Sequence, residues 1–496
     1  MKLRFKIGAA AILLASGFTA AAQDNAFTGF TKEDMIADFR LAMGILKAQH
    51  PHPYKFIDSA SYARKVDSLL QRMAGAGNVQ ECSRYSPIQL IRDVHTSIAY
   101  SDDNGRELYS KINFLPLQVI VERGKMLVNI KGEAIPFGAE IVSINQMTVS
   151  EMLDAIAGSV YSDGHIQTGI DRVYPDFYLR FSMLNATRKT FDIAYRLPGS
   201  NSIRNVTLPY ATPQKAFQSK SQAVLPCNLL QRSYFIYRDY NSASETGILT
   251  VNSFNLQEPY AYKEFSEFFK EVNKRGYKNV IIDIRNNGGG NPAISALLYS
   301  FLSCKPFRNE YNYRTKNTQI AYAEYAIDDY GRKLSEEDIR NTTNFLYQRF
   351  DKDSATGFYV GNARLKEGQL ENFPPDKNAF SGNVYVLTGG GTVSAATYFA
   401  SLVQKNKRGM IVGKETGSGE QATTAAWFVK YMLPKTKSVL TVPMSELYFF
   451  NATTDSGRGV IPDQEVPLPQ FIDFARAGQD PELSYALELI SKAGKK

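Results

Sequence analysis

The chain has 496 residues, with 57 lysines and arginines against 49 aspartates and glutamates, and a net charge of +8. A chain of this length exceeds what one hydrophobic core usually organises, so two or three domains are expected. The basic residues are dispersed, and even the cluster at 405–408 is short, which argues against nucleic acid as a partner. Cys82, Cys227 and Cys304 lie far apart, so at most one disulfide is possible and no metal-ligand spacing exists.

The amino terminus has the pattern of a secretory signal peptide. Lys2, Arg4 and Lys6 precede an apolar run over residues 7–18, and a short run of alanines ends at Ala22. The apolar run is too short to span a bilayer as a helix. We therefore expect cleavage after Ala22 and an exported protein, periplasmic or secreted, with no stable membrane anchor once the signal is removed.

Beyond the signal, the periodicity of apolar residues divides the chain into three parts. Helical spacing comes first, then short strands followed by a polar linker, and then strands alternating with helices, which predicts an α/β core. A polar, tyrosine-rich stretch inside the third part is interpreted as an insertion. The expected parts are a helical domain over 23–112, a strand-rich domain with linker over 113–226, the α/β core over 227–475 with its insertion at about 306–381, and a C-terminal helix over 476–496.

A candidate catalytic serine lies within residues 384–400. Five strand-forming residues precede three glycines, Gly389–Gly391, and a helical pattern follows. Thr392 is a good N-cap, which would place Ser394 in the first helical turn. Unpaired amides and the positive end of the helix dipole there suit a nucleophile that leaves an oxyanion behind. The alternative is a serine that only caps the helix, because the pattern is short.

A second glycine turn follows the apolar strand predicted over 279–284. Parallel sheets gather sites at the carboxyl ends of their strands, so this turn is expected beside the first one. The N–H groups of Gly288 and Gly289 on one turn and of Ala395 on the other are the candidate oxyanion donors. A phosphate cradle is the competing interpretation, but neither nucleotide-binding glycine fingerprint is present.

Four blocks in this order resemble the signatures of the S41 serine peptidases, which are the C-terminal processing (tail-specific) and tricorn-core-like proteases. The blocks are 283–290 (Asp-Ile-Arg-Asn-Asn-Gly-Gly-Gly), 388–396, 412–413 and 457–463. The resemblance covers roughly residues 240–470. It implies a ClpP/crotonase-like α/β core of ββα units, and a serine-type endopeptidase that hydrolyses peptide bonds near the C-terminal tails of proteins or peptides.

The resemblance extends into the amino-terminal half. Residues 114–156 resemble a divergent PDZ-type domain, which implies a module that binds peptide carboxyl tails by strand addition. Whether such a module delivers substrate or gates the site stays open. Residues 93–96, Asp-Val-His-Thr, resemble the Asp-x-His-Thr block of the Ser/His branch of the family.

The base of the reaction is expected to be His95. In the Ser/Lys branch a catalytic lysine stands where this chain has Gly419, and Lys414 lies nearby at an unmatched position. A neutral imidazole near physiological pH is able to accept the proton of Ser394 and return it to a leaving amine. The alternative for His95 is a buried histidine satisfied by a neighbour.

The acid that would orient His95 is left open between two candidates. Glu446 is favoured slightly over Asp455, and either fits an exposed turn acid equally well. Asp283 and Arg285 are expected to be structural and to hold the second glycine turn, at Gly288–Gly290.

Two other functions were weighed. The chain could be a catalytically weak peptide-binding protein that keeps the S41 fold, whereas a polysaccharide-degrading enzyme lacks a matched pair of carboxylates. His50 and His52 alternate with prolines, which favours a turn over a weak metal site. No cofactor or metal is expected.

Overall fold

The structure is a computed structural model that describes residues 30–77, 79, 82, 85–99, 112–132, 134–157, 162–172, 176–184, 188–225, 235–366 and 368–494. The expected signal peptide and Cys227 lie outside the described residues.

Eleven α-helices are found in the described part of the chain. Most begin at a capping side chain: Thr31, for example, accepts the Asp34 N–H while Asp34 accepts the Thr31 N–H. The helices are α1 Lys32–Gln49, α2 Ser59–Gly75, α3 Val149–Ala157, α4 Phe177–Met183, α5 Pro213–Ser221, α6 Glu258–Arg275, α7 Pro292–Ser300, α8 Glu336–Arg349, α9 Ala395–Lys405, α10 Leu468–Arg476 and α11 Pro481–Ala493. None of these described helices has both the length and the apolar character of a membrane span.

The strands are short, and most belong to four larger sheets. They are β1 Ser97–Ala99, β2 Val119–Glu122, β3 Lys125–Val128, β4 Glu140–Ile144, β5 Met147–Thr148, β6 Thr190–Arg196, β7 Ile203–Pro209, β8 Ile236–Asn241, β9 Thr246–Val251, β10 Asn279–Asp283, β11 Phe307–Arg308, β12 Tyr311–Thr315, β13 Ala326–Ile327, β14 Phe350–Lys352, β15 Tyr359–Gly361, β16 Asn372–Phe373, β17 Asn383–Thr388, β18 Met410–Gly413, β19 Ala422–Ala425, β20 Val429–Met432, β21 Val439–Val442 and β22 Ser445–Phe449.

The central sheet has the order β18-β17-β10-β9-β8, and all its neighbours are parallel except β8 and β9. Every residue of β9 and β10 is buried, as expected for strands covered on both faces. The register pairs Asp283 with Leu387, so the two glycine turns leave adjacent strand ends. The predicted α/β core and the side-by-side glycine turns are therefore confirmed.

The predicted insertion is more ordered than its polar composition suggested. Its strand β12 lies between β15 and β22 in an antiparallel sheet of order β14-β15-β12-β22-β19. A further sheet has the order β1-β21-β20-β13, so the insertion also supplies an edge strand there. Pairing with strands more than a hundred residues away supplies the order that local periodicity does not show.

The amino-terminal helices pack directly on the α/β core. Buried residues of α1 and α2 belong to the same hydrophobic cluster as those of α6, α7 and α9. Strand β1, which follows the candidate base by two residues, pairs with β21. Between α2 and β1, residues Pro87–Leu90 form a single 3₁₀ turn.

The strand-rich part forms a separate antiparallel sheet of order β2-β3-β4-β6-β7 with its own apolar core, and β5 pairs with β4. The predicted hairpin around Arg123-Gly124 is present as β2 and β3. Between α3 and α4, residues 162–172 leave this sheet and contact the α/β core. We call them the bridging segment, and they bring buried charge to the candidate site.

Candidate active site

Ser394 lies on a strained turn between β17 and α9. Its backbone angles are φ 60° and ψ −125°, a conformation that L-residues rarely adopt. The helix begins at Ala395, so Ser394 itself is the N-cap residue and makes no capping side-chain bond. The prediction that Thr392 is the N-cap is wrong, because its hydroxyl instead donates to the Ile284 carbonyl. Ser394 therefore precedes the first turn of α9 instead of lying within it.

The Gly288–Gly290 turn packs against this serine. A Cβ placed on Gly289 would lie 2.6 Å from the Cβ of Ser394 and 2.7 Å from the Val393 carbonyl oxygen. The Gly289 N–H donates to the Asn287 side-chain oxygen at 2.9 Å, so this amide is already engaged and is less suited than its neighbours as an oxyanion donor. The residue supplies space for the nucleophile turn instead.

Two amides remain as candidate oxyanion donors. Ala395 is the first residue of α9, where helix geometry leaves an amide without an i−4 acceptor. Its nitrogen lies 3.1 Å from the position that a Cβ on Gly289 would take. Gly288 is exposed at the same edge and has open space around its Cα.

Buried hydroxyl groups form hydrogen bonds with the nucleophile turn. The Ser394 N–H donates to Ser418 Oγ at 2.7 Å, and Ser418 donates to Thr397 Oγ1 on α9 at 2.8 Å. Next to Ser418 stands Gly419, where the Ser/Lys branch has its lysine, and its N–H donates to Asp163 Oδ2 at 3.0 Å. At the position where the Ser/Lys branch has its lysine, this chain therefore contacts the bridging segment.

His95 is held in a short loop before β1. Asp93 Oδ1 accepts the His95 backbone N–H at 2.8 Å, and Asp93 Oδ2 bonds with the Thr96 hydroxyl at 2.5 Å and with His50 Nε2 at 3.0 Å. The expected turn at His50 is confirmed by its Nδ1, which accepts the His52 N–H. Asp93 thus shapes the loop that carries the imidazole.

Among the described residues, the imidazole of His95 has one hydrogen-bonding neighbour. This neighbour is the Thr423 hydroxyl, whose oxygen lies 3.3 Å from His95 Nδ1. The nearest Asp93 oxygen is 3.9 Å from Nδ1, beyond hydrogen-bonding reach. Burial lowers the pKa of His95, the Asp93 charge opposes this shift and Arg172 reinforces it. Phe428 stacks beside the ring, with centroids 6.1 Å apart. The ring is therefore neutral near pH 7.

Ser394 and His95 are brought into one neighbourhood without a direct hydrogen bond between their side chains in the described part of the chain. The connection is made by Asp163, whose Oδ1 accepts the Val94 N–H at 2.9 Å and whose Oδ2 accepts the Gly419 N–H. Thr423 follows Gly419 by four residues. Nothing in the local sequence around Asp163 or Thr423 signals this role.

Among the described residues, the hydrogen-bonding partner of the His95 imidazole is Thr423, whereas Glu446 and Asp455 pair with basic side chains. Glu446 is fully buried on β22, where Oε1 accepts from Lys55 at 2.6 Å and Oε2 pairs with Arg314. Asp455 pairs with the same lysine. Both oxygens of Glu446 are occupied by cations, so the prediction that either acid orients His95 is not supported. Burial alone would raise the pKa of Glu446, but Lys55 and Arg314 lower it to about 2.

Lys414 is not available as a base. Its Nζ lies 2.5 Å from Glu122 at the end of β2 and 3.2 Å from Asp171 of the bridging segment. Burial favours the neutral amine, yet Asp171 and Glu122 raise the pKa of Lys414 above its ordinary value. The group therefore stays protonated, and it ties the antiparallel sheet to the core.

Asp283 and Arg285 are structural, as expected. Arg285 pairs with Asp283 and Asp480 at 2.7 Å and with Glu482 at 2.9 Å. The last two residues begin α11, so this buried network fixes the Gly288–Gly290 turn to the C-terminal helix. Across the described residues, no group of histidine, cysteine and acidic side chains could hold a metal ion.

Comparison with known proteins agrees with this geometry. Residues 245–466 match Peptidase family S41. Solved structures of mature CPAF resemble the chain: the lactacystin complex has a TM-score of 0.62 at 14% identity, covering 93% of this chain and 98% of that one. A second structure of mature CPAF has a TM-score of 0.59 at 15% identity, covering 92% and 96%. The photosystem II D1 C-terminal processing protease gives 0.38 at 14% identity, covering 90% and 98%. No curated protein matches the sequence.

A mixed α/β fold with a serine on a strained strand-to-helix turn is typical of serine hydrolases. Residues 245–466 match peptidase family S41, which makes the chain a serine-type peptidase.

Proposed function

We propose that the chain is an exported serine endopeptidase in which Ser394 is the nucleophile and His95 is the base. The observation that carries this assignment is the strained backbone of Ser394 at the start of α9, packed against Gly289. Strain of this kind costs on the order of 1–3 kcal/mol and persists where the surroundings enforce it, often at active sites. The histidine loop is fastened to the same turn through Gly419.

The chemistry follows from the positions of these groups. Ser394 Oγ attacks the peptide carbonyl carbon while its proton passes to His95 Nε2. The carbonyl oxygen becomes an oxyanion that accepts hydrogen bonds from the amides of Ala395 and Gly288. The carbon–nitrogen bond then breaks, His95 returns the proton to the leaving amine, and water hydrolyses the acyl-enzyme by the same route in reverse order.

The protonation state of His95 suits this role. Burial lowers its pKa, so the neutral imidazole persists to lower pH than for a free histidine. Thr423 next to Nδ1 favours the tautomer that carries its proton there and leaves the Nε2 lone pair free to accept. The acid limb of the rate profile is then set by the catalytic groups rather than by global unfolding.

We further propose that the substrates are protein or peptide tails. Support comes from the antiparallel sheet β2-β3-β4-β6-β7, whose edge strand β7 is largely exposed and so open to strand addition. In this proposal the sheet is a PDZ-like module and the core is of the ClpP/crotonase type. A peptide with a free carboxyl terminus should then be cleaved faster than its amidated twin, and equal rates would contradict tail recognition.

Hydrolysis of an unfolded protein substrate tests the assignment. Ser394→Ala and His95→Gln should each abolish turnover while the far-ultraviolet circular dichroism spectrum stays unchanged. Ser401→Ala is the matched control, because Ser401 is a buried serine on the same helix whose hydroxyl only donates to the Thr397 carbonyl. Turnover that survives in Ser394→Ala would refute the nucleophile.

The second candidate function is a peptide-binding protein with little activity. It is favoured by one observation, the lack of a direct Ser394–His95 hydrogen bond in the described part of the chain. Peptide binding that is equal in the parent and in Ser394→Ala, with no turnover by the parent, would support this function over the first.

A further inference from the structure

A buried carboxylate of the bridging segment joins the two halves of the candidate active site. Asp163 is only 4% exposed, and its two oxygens accept N–H groups from different loops. Its Oδ1 accepts the N–H of Val94, which precedes His95. Its Oδ2 accepts the N–H of Gly419, which follows Ser418, the residue whose hydroxyl accepts the Ser394 N–H. One side chain thus sets the spacing between the histidine loop and the nucleophile turn.

The same carboxylate reaches the imidazole through a hydroxyl. Thr423 is 1% exposed on β19, and its Oγ1 lies 3.3 Å from His95 Nδ1. The Thr423 hydroxyl also lies close enough to Asp163 to lower the pKa of that carboxyl. Since a hydroxyl has one donor and two acceptor sites, Thr423 is able to accept from the imidazole and donate to the carboxylate at once.

Other charges near Asp163 leave it as the acid best placed for this task. Asp93 is the nearest alternative, but its oxygens are engaged with the His95 backbone, Thr96 and His50. Arg172 of the bridging segment acts on both Asp163 and His95 through its charge. Burial and the Asp93 charge raise the pKa of Asp163 to about 7, whereas the Thr423, Gly419 and Val94 hydrogen bonds act in the opposite direction.

We propose that Asp163 is the positioning carboxylate of this active site and acts on His95 through the Thr423 hydroxyl. The inference rests on the proposed roles of Ser394 and His95. When His95 accepts the serine proton at Nε2, its Nδ1–H donates to Thr423 Oγ1 and the threonine proton donates to Asp163. No proton leaves this chain of hydrogen bonds. The carboxylate stabilises the imidazolium and fixes its tautomer, as an orienting acid does in serine hydrolases generally.

Three substitutions separate positioning from folding. Asp163→Asn removes the negative charge, and Thr423→Val removes the linking hydroxyl at nearly constant volume. Asp38→Asn is the matched control, because Asp38 is a buried aspartate that accepts the backbone N–H groups of Lys435 and Thr436 far from the catalytic groups. Asp163→Asn and Asp38→Asn should lower the urea midpoint of unfolding by similar amounts.

The rates of peptide hydrolysis and of fluorophosphonate labelling are then compared between the parent and the variants at 25 °C. Each variant is first shown to be folded at that temperature. Asp163→Asn and Thr423→Val should lower kcat by about 100-fold or more with little change in KM, in the range that general acid–base catalysis contributes. Asp38→Asn should keep the parent kcat. Parent-like kcat in Thr423→Val, or in a folded Asp163→Asn, overturns the proposal. An unlabelled and inactive parent protein overturns the proposed function and this inference with it.

The pH profile supplies a readout that a purely structural role would not move. If the ionised carboxylate is required, the acid limb of kcat/KM in the parent lies near pH 7, above the lowered pKa of His95. In Asp163→Asn the remaining activity should show an acid limb at lower pH, set by His95 alone. An acid limb at the same pH in both proteins contradicts the proposal even while Ser394 labelling continues.

Discussion

Replacing Gly289 with alanine should damage the nucleophile turn. The added Cβ would lie 2.6 Å from the Ser394 Cβ, 2.7 Å from the Val393 oxygen and 3.1 Å from the Ala395 nitrogen, and Gly289 has φ +93°. Left-handed backbone costs a non-glycine residue about 1–2 kcal/mol. Overpacking adds typically 1–3 kcal/mol. The free energy of unfolding should therefore fall by about 3 kcal/mol.

Urea denaturation measures this loss, and Gly288→Ala is the stability control, because a Cβ there meets nothing within 4 Å. The rate of fluorophosphonate labelling measures the displacement of Ser394, and a shift of about 1 Å costs roughly 100-fold in well-organised sites. A Gly289→Ala protein that is as stable as Gly288→Ala and is labelled at the parent rate would refute the packing argument.

Three further outcomes are expected from the buried and strained groups. Ser394→Gly should be more stable than Ser394→Ala by about 1 kcal/mol, because glycine relieves the positive φ of that residue; thermal unfolding of the pair measures the difference. Lys414→Met should lower the free energy of unfolding by about 3–5 kcal/mol, because Glu122 is left buried without its cation. The folded variant should still react with the fluorophosphonate, and a labelling rate near zero would instead indicate that Lys414 is the base. The pKa of Glu446 is lowered from 4.5 to about 2, so the stability that its ionised carboxylate contributes is present above pH 4.5 and is lost as pH falls toward 2. The free energy of unfolding, measured as a function of pH, should fall by an amount on the order of 3 kcal/mol across this range, and this fall should be missing in Glu446→Gln.

The local parts of the site follow from sequence patterns. A strand, three glycines and a helix are encoded within residues 384–400, and parallel neighbours place the second glycine turn beside the first. The loop carrying His95 is similarly local, since Asp93 binds the amide two residues later. Patterns of this kind depend on neighbours in sequence, which is why the nucleophile turn and its partner turn could be predicted.

The errors arise where distant contacts override local preference. Thr392 has the chemistry of an N-cap, but its hydroxyl bonds the Ile284 carbonyl 108 residues away, and the helix begins later. Glu446 is the acid slightly favoured from the sequence for His95, but Lys55, 391 residues away, pairs with its carboxylate. Charge pairing inside the folded core decides these roles, and no local pattern reports it.

Asp163 is the clearest case of a site residue that the sequence hides. It lies in a bridging segment without helical or strand periodicity, and its partners Val94 and Gly419 are 69 and 256 residues away. Thr423 and His95 are 328 residues apart. Only the folded arrangement brings the acid, hydroxyl and imidazole together, and a single sequence carries no signal for it.

The most direct measurement for the central claim is peptide mapping by mass spectrometry after reaction with an activated fluorophosphonate. The proposed mechanism predicts a single adduct per molecule on Ser394, formed at least about 100-fold more slowly in His95→Gln, as expected when a general base is removed. An adduct on another residue, or an adduct on Ser394 that forms equally fast without His95, would contradict the claim that these two residues perform the reaction.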